Sequence, residues 1–460
     1  MKNGVMLKRW IVSMILVCAI VCLYATAPAG GGFSMNLAAA EEIFSAGYPE
    51  GVPMPNQADY ARSEYDVDYE AYYDAYSKWV EYADGNRLAD GTIDGLKKYI
   101  DASAKKILAS EKAENKVYSP VNVYIALSML AEITDGNSRE QILSALGAES
   151  HENLRTLAQE IFMSVYKDDG ETQSIPAASV WLRNDMAYKP DALEILKTHY
   201  FASSFAGEMG SKEYDKMLAD WLDRATKGLL KEQAQNMTMD RDTVIALATS
   251  LYLKAGWKDE FNKDKTALSV FHAPEGDMQA EFMNQSGSDT YYWGENFGAV
   301  ALSMTGGGRM WILLPDEGVT PEALIESGAV ADFLINPEPD HQKRLVIHKS
   351  IPKFDVTGEN DLTHTLKAMG VTDVFDENKS DFTCLTDLPG IVVSKAEHDA
   401  RVRIDENGVE GAAYTVIMMM ATSARPPEDE MNFVADRPFV FVITNQDSLP
   451  LFMGVVNTVK

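Results

Sequence analysis

The chain has 460 residues, a mass of 50.8 kDa and a formal net charge of -28, from 41 bases and 69 acids. So acidic a chain cannot bind a polyanion by releasing counterions, and an anionic membrane surface repels it. Hydrophobic residues at 46% and charged residues at 24% are ordinary globular values, so disorder along the whole length is excluded too.

Residues 1–40 carry Lys2, Lys8 and Arg9 and no acid. A short basic start, an apolar run from Trp10 to about Ala27 and then small residues read as an export signal. Cleavage fits after Ala29 or after Ala40, and retention as a membrane anchor is the alternative, because the run approaches spanning length. Cys18 and Cys22 each follow a valine where a lipoprotein signal wants a small residue. Without this segment the charge is -31, and Cys384 is the one cysteine left, so no disulfide and no cysteine metal cluster is expected.

Residues 41–91 read as an acidic, tyrosine-rich arm. Positions 41–90 hold 12 acids, three bases and eight of the 20 tyrosines. Pro49 to Pro55 looks like linker, and Tyr72, Tyr76 and Trp79 at helical spacing predict one short helix. Asp66 and Asp68 lack the glycine and distal glutamate of a calcium loop, so a solvated arm is expected. The main body, residues 92–460, follows, long enough for one very large domain or two to three average ones. Leu96, Ile100, Ala104 and Ile107 share one helical face. Ser119-Pro120 reads as an N-cap with proline in the first helical position, Ser138 with Gln141 as a capping box, and Gly147 as a helix stop. Trp221, Ala225 and Leu229 predict another helix.

From about residue 243 strands are predicted. Val244–Leu253, Met310–Leu314, Phe439–Ile443 and Leu451–Val456 are apolar runs, and Ala400, Val402 and Ile404 alternate with polar residues. Helices first and strands later give an α+β fold with large sheets. None of the seven histidines lies in an H-E-x-x-H pair, and no nucleophile elbow or Walker loop is present. Gly306-Gly307-Gly308 precedes a strand rather than a helix, which suits a hairpin turn. No enzyme activity, cofactor or metal is expected.

Residues 406–436 are harder to place. Val409, Gly411, Ala413, Thr415, Ile417 and Met419 are small or apolar at alternate positions, as in a strand meeting a tight interior. The stretch nevertheless ends in the turn-like Thr422-Ser423-Ala424-Arg425-Pro426-Pro427. A long uncovered apolar strand is an aggregation hazard, so it needs burial or a use.

Several short motifs stand together in one order: Val117-Tyr118-Ser119-Pro120, Tyr252-Leu253-Lys254-Ala255-Gly256-Trp257, Ile351-Pro352-Lys353-Phe354, Ser394-Lys395-Ala396-Glu397-His398, Glu406-Asn407-Gly408 and Arg437-Pro438-Phe439. On these the chain resembles the serpins, the serine protease inhibitors, over about four-fifths of its length. The resemblance implies a single large domain of helices packed on a large central sheet with smaller sheets, and an exposed reactive-centre loop. It implies a monomeric suicide substrate that traps a target serine protease as a covalent acyl complex while the cut loop enters the sheet. The hinge would comprise Glu406, Gly408, Val409, Gly411, Ala412 and Ala413. Counting about fourteen residues from Gly408 puts the scissile bond between Thr422 and Ser423. A small residue there suits a shallow pocket, so elastase-like or subtilisin-like enzymes are the expected targets. Ser119, Trp257 and His398 match residues that control sheet opening. Asn122 and Thr249 depart from the usual Ser and Asn, so a rearranged set of hydrogen bonds is expected. A member that no longer inhibits, serving as a carrier or binding protein, is the alternative. Neither nucleic acid nor a membrane is an expected partner once the signal is removed, and the destination is the cell exterior.

Overall fold

The computed structural model describes residues 33–34, 40–48, 51–63, 66–109, 112–170, 172–335, 341–393, 396–409 and 429–459. The arm contributes β1 (Glu41–Phe44) and α1 (Tyr69–Gly85). The domain then runs through α2 (Thr92–Ile107), β2 (Lys116–Tyr118), α3 (Pro120–Ile133), α4 (Gly136–Leu146), α5 (His151–Val165), β3 (Gln173–Arg183), β4 (Ala202–Gly207), α6 (Lys212–Ala225) and α7 (Lys231–Asn236). The strand-rich half holds β5 (Ile245–Gly256), β6 (Gly276–Gly294), β7 (Phe297–Ser303), β8 (Arg309–Pro315), β9 (Gln342–Pro352), β10 (Phe354–Asp361), β11 (Glu397–Ile404), β12 (Gly408–Val409), β13 (Glu430–Val434), β14 (Phe439–Thr444) and β15 (Pro450–Val456).

Two sheets dominate. One is eight-stranded with the path β10-β11-β12-β5-β3-β4-β1; the other is nine-stranded with the path β13-β9-β6-β7-β8-β14-β15-β2. Helix α3 packs against both, on β5 and on β15. Nearly all its residues are buried, as a helix apolar all round must be. Its one acid, Glu132, is held by a two-pronged contact from Arg155 at 2.7 and 2.8 Å, so this buried carboxylate is structural.

The N-cap at Ser119 forms as predicted: its Oγ accepts from Asn122 N–H at 3.2 Å, and Pro120 opens the helix. Gly147 ends α4 in the left-handed region at φ 71°. The capping box is a correction. Asp135 caps α4, while Ser138 Oγ accepts from Asp381 N–H at 3.1 Å and Gln141 Oε1 from Asp373 N–H at 2.9 Å. Both side chains tie the helix to a distant loop instead of closing its own turn. Leu229 also lies outside α6, which ends at Ala225. Gly306 to Gly308 does join the antiparallel pair β7–β8.

The arm differs most from expectation. Its helix is 17 residues long, with Asp68 as the N-cap and paired to Arg62. Strand β1 extends the large sheet by pairing antiparallel with β4. Tyr48 stacks on Tyr166 with centroids 5.3 Å apart, and Arg87 pairs with Asp447. Helix α1 has no fully buried residue, but its Trp79, Tyr82 and Ala83 are half-buried and line a cavity together with Tyr166 and Gln446 of the main body.

Candidate functional site: a hinge above an open strand position

The hinge residues Glu406 to Val409 lie at the top of the large sheet. Val409 stands opposite Ala255 of β5 on one side and Ile404 of β11 on the other, and Gly408 opposite Gly256. A Cβ on Gly408 would sit 2.2 Å from the Ala255 carbonyl oxygen, so only glycine lets the hinge approach β5 this closely.

The turn leading to it is tied down. Trp257 is fully buried; its indole N–H donates to the Asp405 carbonyl at 2.8 Å and its backbone N–H to the Asn407 carbonyl at 2.9 Å. Glu406 Oε1 takes Lys353 Nζ at 2.8 Å and Thr266 Oγ1 at 2.7 Å. Burial alone would raise the Glu406 carboxyl; these hydrogen bonds outweigh it and hold it below the usual carboxylate range. Lys353 and Thr266 were not singled out from the sequence. Lys353 lies in the Ile-Pro-Lys-Phe motif, but nothing local signals that its partner is 53 positions away.

Below the hinge, β5 and β11 share no ladder among the described residues; only the two-residue β12 bridges them. The lower half of β5, Ile245 to Thr249, is accordingly half-exposed. A cavity of about 160 Å³ opens between β5 and His398–Asp399 of β11, with Val123 and Ala126 of α3 on one side of the sheet and residues of α6 and α7 on the other. Among the described residues, one strand position in the middle of the large sheet is therefore unfilled.

Ser119, Asn122, Thr249 and His398, expected from the resemblance to bear on sheet opening, lie along this position. His398 is fully buried on β11, and its Nε2 accepts from the Ser119 backbone N–H at 2.9 Å. That acceptor role requires a neutral ring, and burial pushes its pKa down to about 4. The structure brings Ser119, Asn122, Thr249 and His398 to one place. Thr249 Oγ1 donates to the Asn122 main-chain carbonyl at 3.4 Å, so the contact between these two positions uses backbone on one side. Asn360, missed in the sequence, adds a clasp by donating to the carbonyls of Val117 at 3.0 Å and His398 at 3.3 Å. Gly411, Ala412, Ala413, Thr422 and Ser423 lie outside the described residues.

The family profile that matches residues 102–459 is the serpin, or serine protease inhibitor, profile. This chain belongs to the serpins. It is 33% identical to Serpin-Z1C of Triticum aestivum over 364 residues, covering 75% of this chain and 90% of that one. Among solved structures, the native state of tengpin, a thermophilic serpin, superimposes with a TM-score of 0.71 at 23% identity, over 81% of this chain and 95% of tengpin. Human thyroxine-binding globulin, solved with its hormone, gives 0.70 at 22% identity, over 80% of this chain and all of the globulin. Both structural likenesses speak to the fold alone.

Proposed function

We propose that this serpin inhibits elastase-like or subtilisin-like serine proteases by covalent trapping. The observation that carries the reading is the vacant strand position between β5 and β11, with Gly408–Val409 already seated at its top. In the proposed reaction the protease serine Oγ attacks the Thr422 carbonyl carbon, and its proton passes to the protease histidine. The Thr422–Ser423 bond breaks, the Ser423 amine leaves with that proton, and an ester joins the two proteins. Water would normally release the enzyme.

Strand addition forestalls that step. Continuing the register of Val409 opposite Ala255 brings Gly411, Ala413, Thr415, Ile417 and Met419 opposite Leu253, Leu251, Thr249, Leu247 and Ile245. These are the small and apolar positions, and they meet the apolar face of β5. About ten new backbone hydrogen bonds at roughly 1 kcal/mol each supply on the order of 10 kcal/mol. Thr422, with the enzyme attached, travels to the far end of β5, about 40 Å away at ~3.3 Å per residue. The uncut form is then a kinetic trap, not the lowest state.

Incubation with pancreatic elastase tests this. The expected product is a complex that survives SDS, with a released fragment beginning at Ser423. Clean cleavage without a complex, across a panel of serine proteases, moves the protein to the carrier class. A fragment that begins elsewhere refutes the scissile assignment alone. Export belongs to the same proposal: protein recovered from the culture medium begins after Ala29 or Ala40, and full-length protein in the membrane fraction refutes export as a soluble inhibitor.

A further inference from the structure

The lower end of the vacant strand position is chemically specific. Ser250, on β5, is 3% exposed, and its Oγ has no hydrogen-bond partner among the described residues. Gln233 Oε1, from α7, is likewise buried and unpartnered there. Both residues line the 160 Å³ cavity, whose remaining wall mixes apolar side chains, Leu222, Ala234 and Leu247 among them, with polar ones such as Thr238 and Thr243. A dry cavity of about 150 Å³ lined by aliphatic side chains accommodates one benzene ring. Buried polar atoms without partners are unfavourable and normally signal something that satisfies them. Two acids, Asp240 and Asp399, line the cavity with no lysine or arginine, and its one histidine, His398, is neutral, so the lining disfavours an anion.

We propose that this cavity binds a compact, uncharged molecule with an apolar body and one hydroxyl, of about the size of phenol. A hydroxyl matches the two stranded groups, since Gln233 Oε1 only accepts and Ser250 Oγ both donates and accepts. The ligand occupies the space that the lower half of an added strand would fill, so it competes with strand addition. That second part rests on the inhibitory reading above; the binding itself does not.

The probe is phenol itself, titrated against the full-length protein before and after loop cleavage by elastase. The uncut protein gains melting temperature with phenol concentration and the cut protein does not, because its own strand fills the slot. Complexes formed with elastase fall in yield as phenol rises, with more inhibitor cleaved per enzyme trapped. Ser250→Ala loses the hydroxyl with little change in volume, and should weaken phenol binding roughly fivefold. Ser250→Cys, which keeps the shape and replaces the hydroxyl by a weakly hydrogen-bonding thiol, serves the same purpose if alanine is not tolerated. Absence of any phenol-dependent shift in the uncut protein, or unchanged binding in both Ser250 variants, overturns the site. If complexes form but phenol does not bind, the site falls and the inhibitory reading stands. If phenol binds through Ser250 but no protease is trapped, the reverse holds.

Discussion

The two ends of one strand position are built oppositely. At the top, the hinge is fixed by backbone pairing on both sides and by the Trp257, Lys353 and Thr266 contacts, with a glycine where no side chain fits. At the bottom, β5 and β11 stand apart around a cavity, and the polar contacts beneath them include the Ser119–His398 bond, the long Thr249–Asn122 bond and the Asn360 clasp. A sheet closed at one end and open at the other has a direction. Strand addition that starts from a seated hinge forms each new pair beside one already made, which avoids the loop-closure entropy of starting in the middle.

The largest expected effect exposes the bottom. Cutting the loop should raise the melting temperature by roughly 10–15 °C, the size that about 10 kcal/mol of new pairing gives a domain of this length. Differential scanning calorimetry of cut and uncut protein reads it. An unchanged melting temperature would mean that the open position is not where the loop goes.

The next effect exposes the top. Gly408→Val places side-chain atoms against the Ala255 carbonyl, where a Cβ has 2.2 Å. Overpacking of this kind costs about 1–3 kcal/mol or more. The hinge unseats, insertion starts late, and the protease hydrolyses its ester first. The fraction of elastase caught in SDS-stable complex should fall at least tenfold while cleavage of the loop continues at its former rate. Equal complex yield would show that the seated hinge is not the starting point.

This contrast also marks what could be read without coordinates. The α+β class, the buried helix after Ser119 and the strands at Met310, Phe439 and Leu451 follow from periodicity and caps, which act locally. Strand β3 was missed, although it is central in the large sheet. It contains Pro176, which is rare in a central strand, and its small residues give no alternation. The fold tolerates Pro176 because β4 begins to pair only at Ala178. Strand β1 was missed because Glu41-Glu42-Ile43-Phe44 has a polar half and an apolar half, and only the edge of β4 gives it a partner. At the site, the hinge and His398 were legible through family motifs. The gap between β5 and β11 was not, since a missing pairing leaves no mark on either strand's own residues.

A third prediction bears on the bottom. His398 is neutral when folded, with a pKa near 4 against about 6.5 when unfolded. A base whose folded pKa is depressed leaves stability intact above the unfolded value and removes it as pH falls toward the folded one. Between pH 6.5 and about 4 the uncut protein should therefore lose roughly 3 kcal/mol through this group. Protonation also removes the acceptor for the Ser119 N–H, so the bottom of the sheet should loosen in the same window. In His398→Gln, whose amide oxygen is an acceptor at every pH, this part of the acid dependence should vanish from urea denaturation curves. A curve identical to wild type would assign the dependence to other groups.

The smallest effect separates the ends by pH as well. Glu406 is a carboxylate with a depressed pKa, so its stabilisation is present above about pH 4.3 and is lost as pH falls through its lower folded value. The top of the sheet thus keeps its tie to Lys353 through the range in which His398 is releasing the bottom. Glu406→Gln retains an acceptor for Thr266 and loses the ion pair, and should cost about 1.5–3 kcal/mol at neutral pH. The same substitution should become neutral only once pH has fallen through the lowered pKa of the folded carboxyl, where the wild-type side chain is itself protonated. Hydrogen exchange of the Trp257 and Phe261 amides, which donate to the Asn407 and Glu406 carbonyls, reports on the top alone. Faster exchange there in Glu406→Gln at pH 7, with the Ser119 amide unchanged, would establish the two ends as separately controlled. Faster exchange at Ser119 as well would make the strand position one cooperative unit.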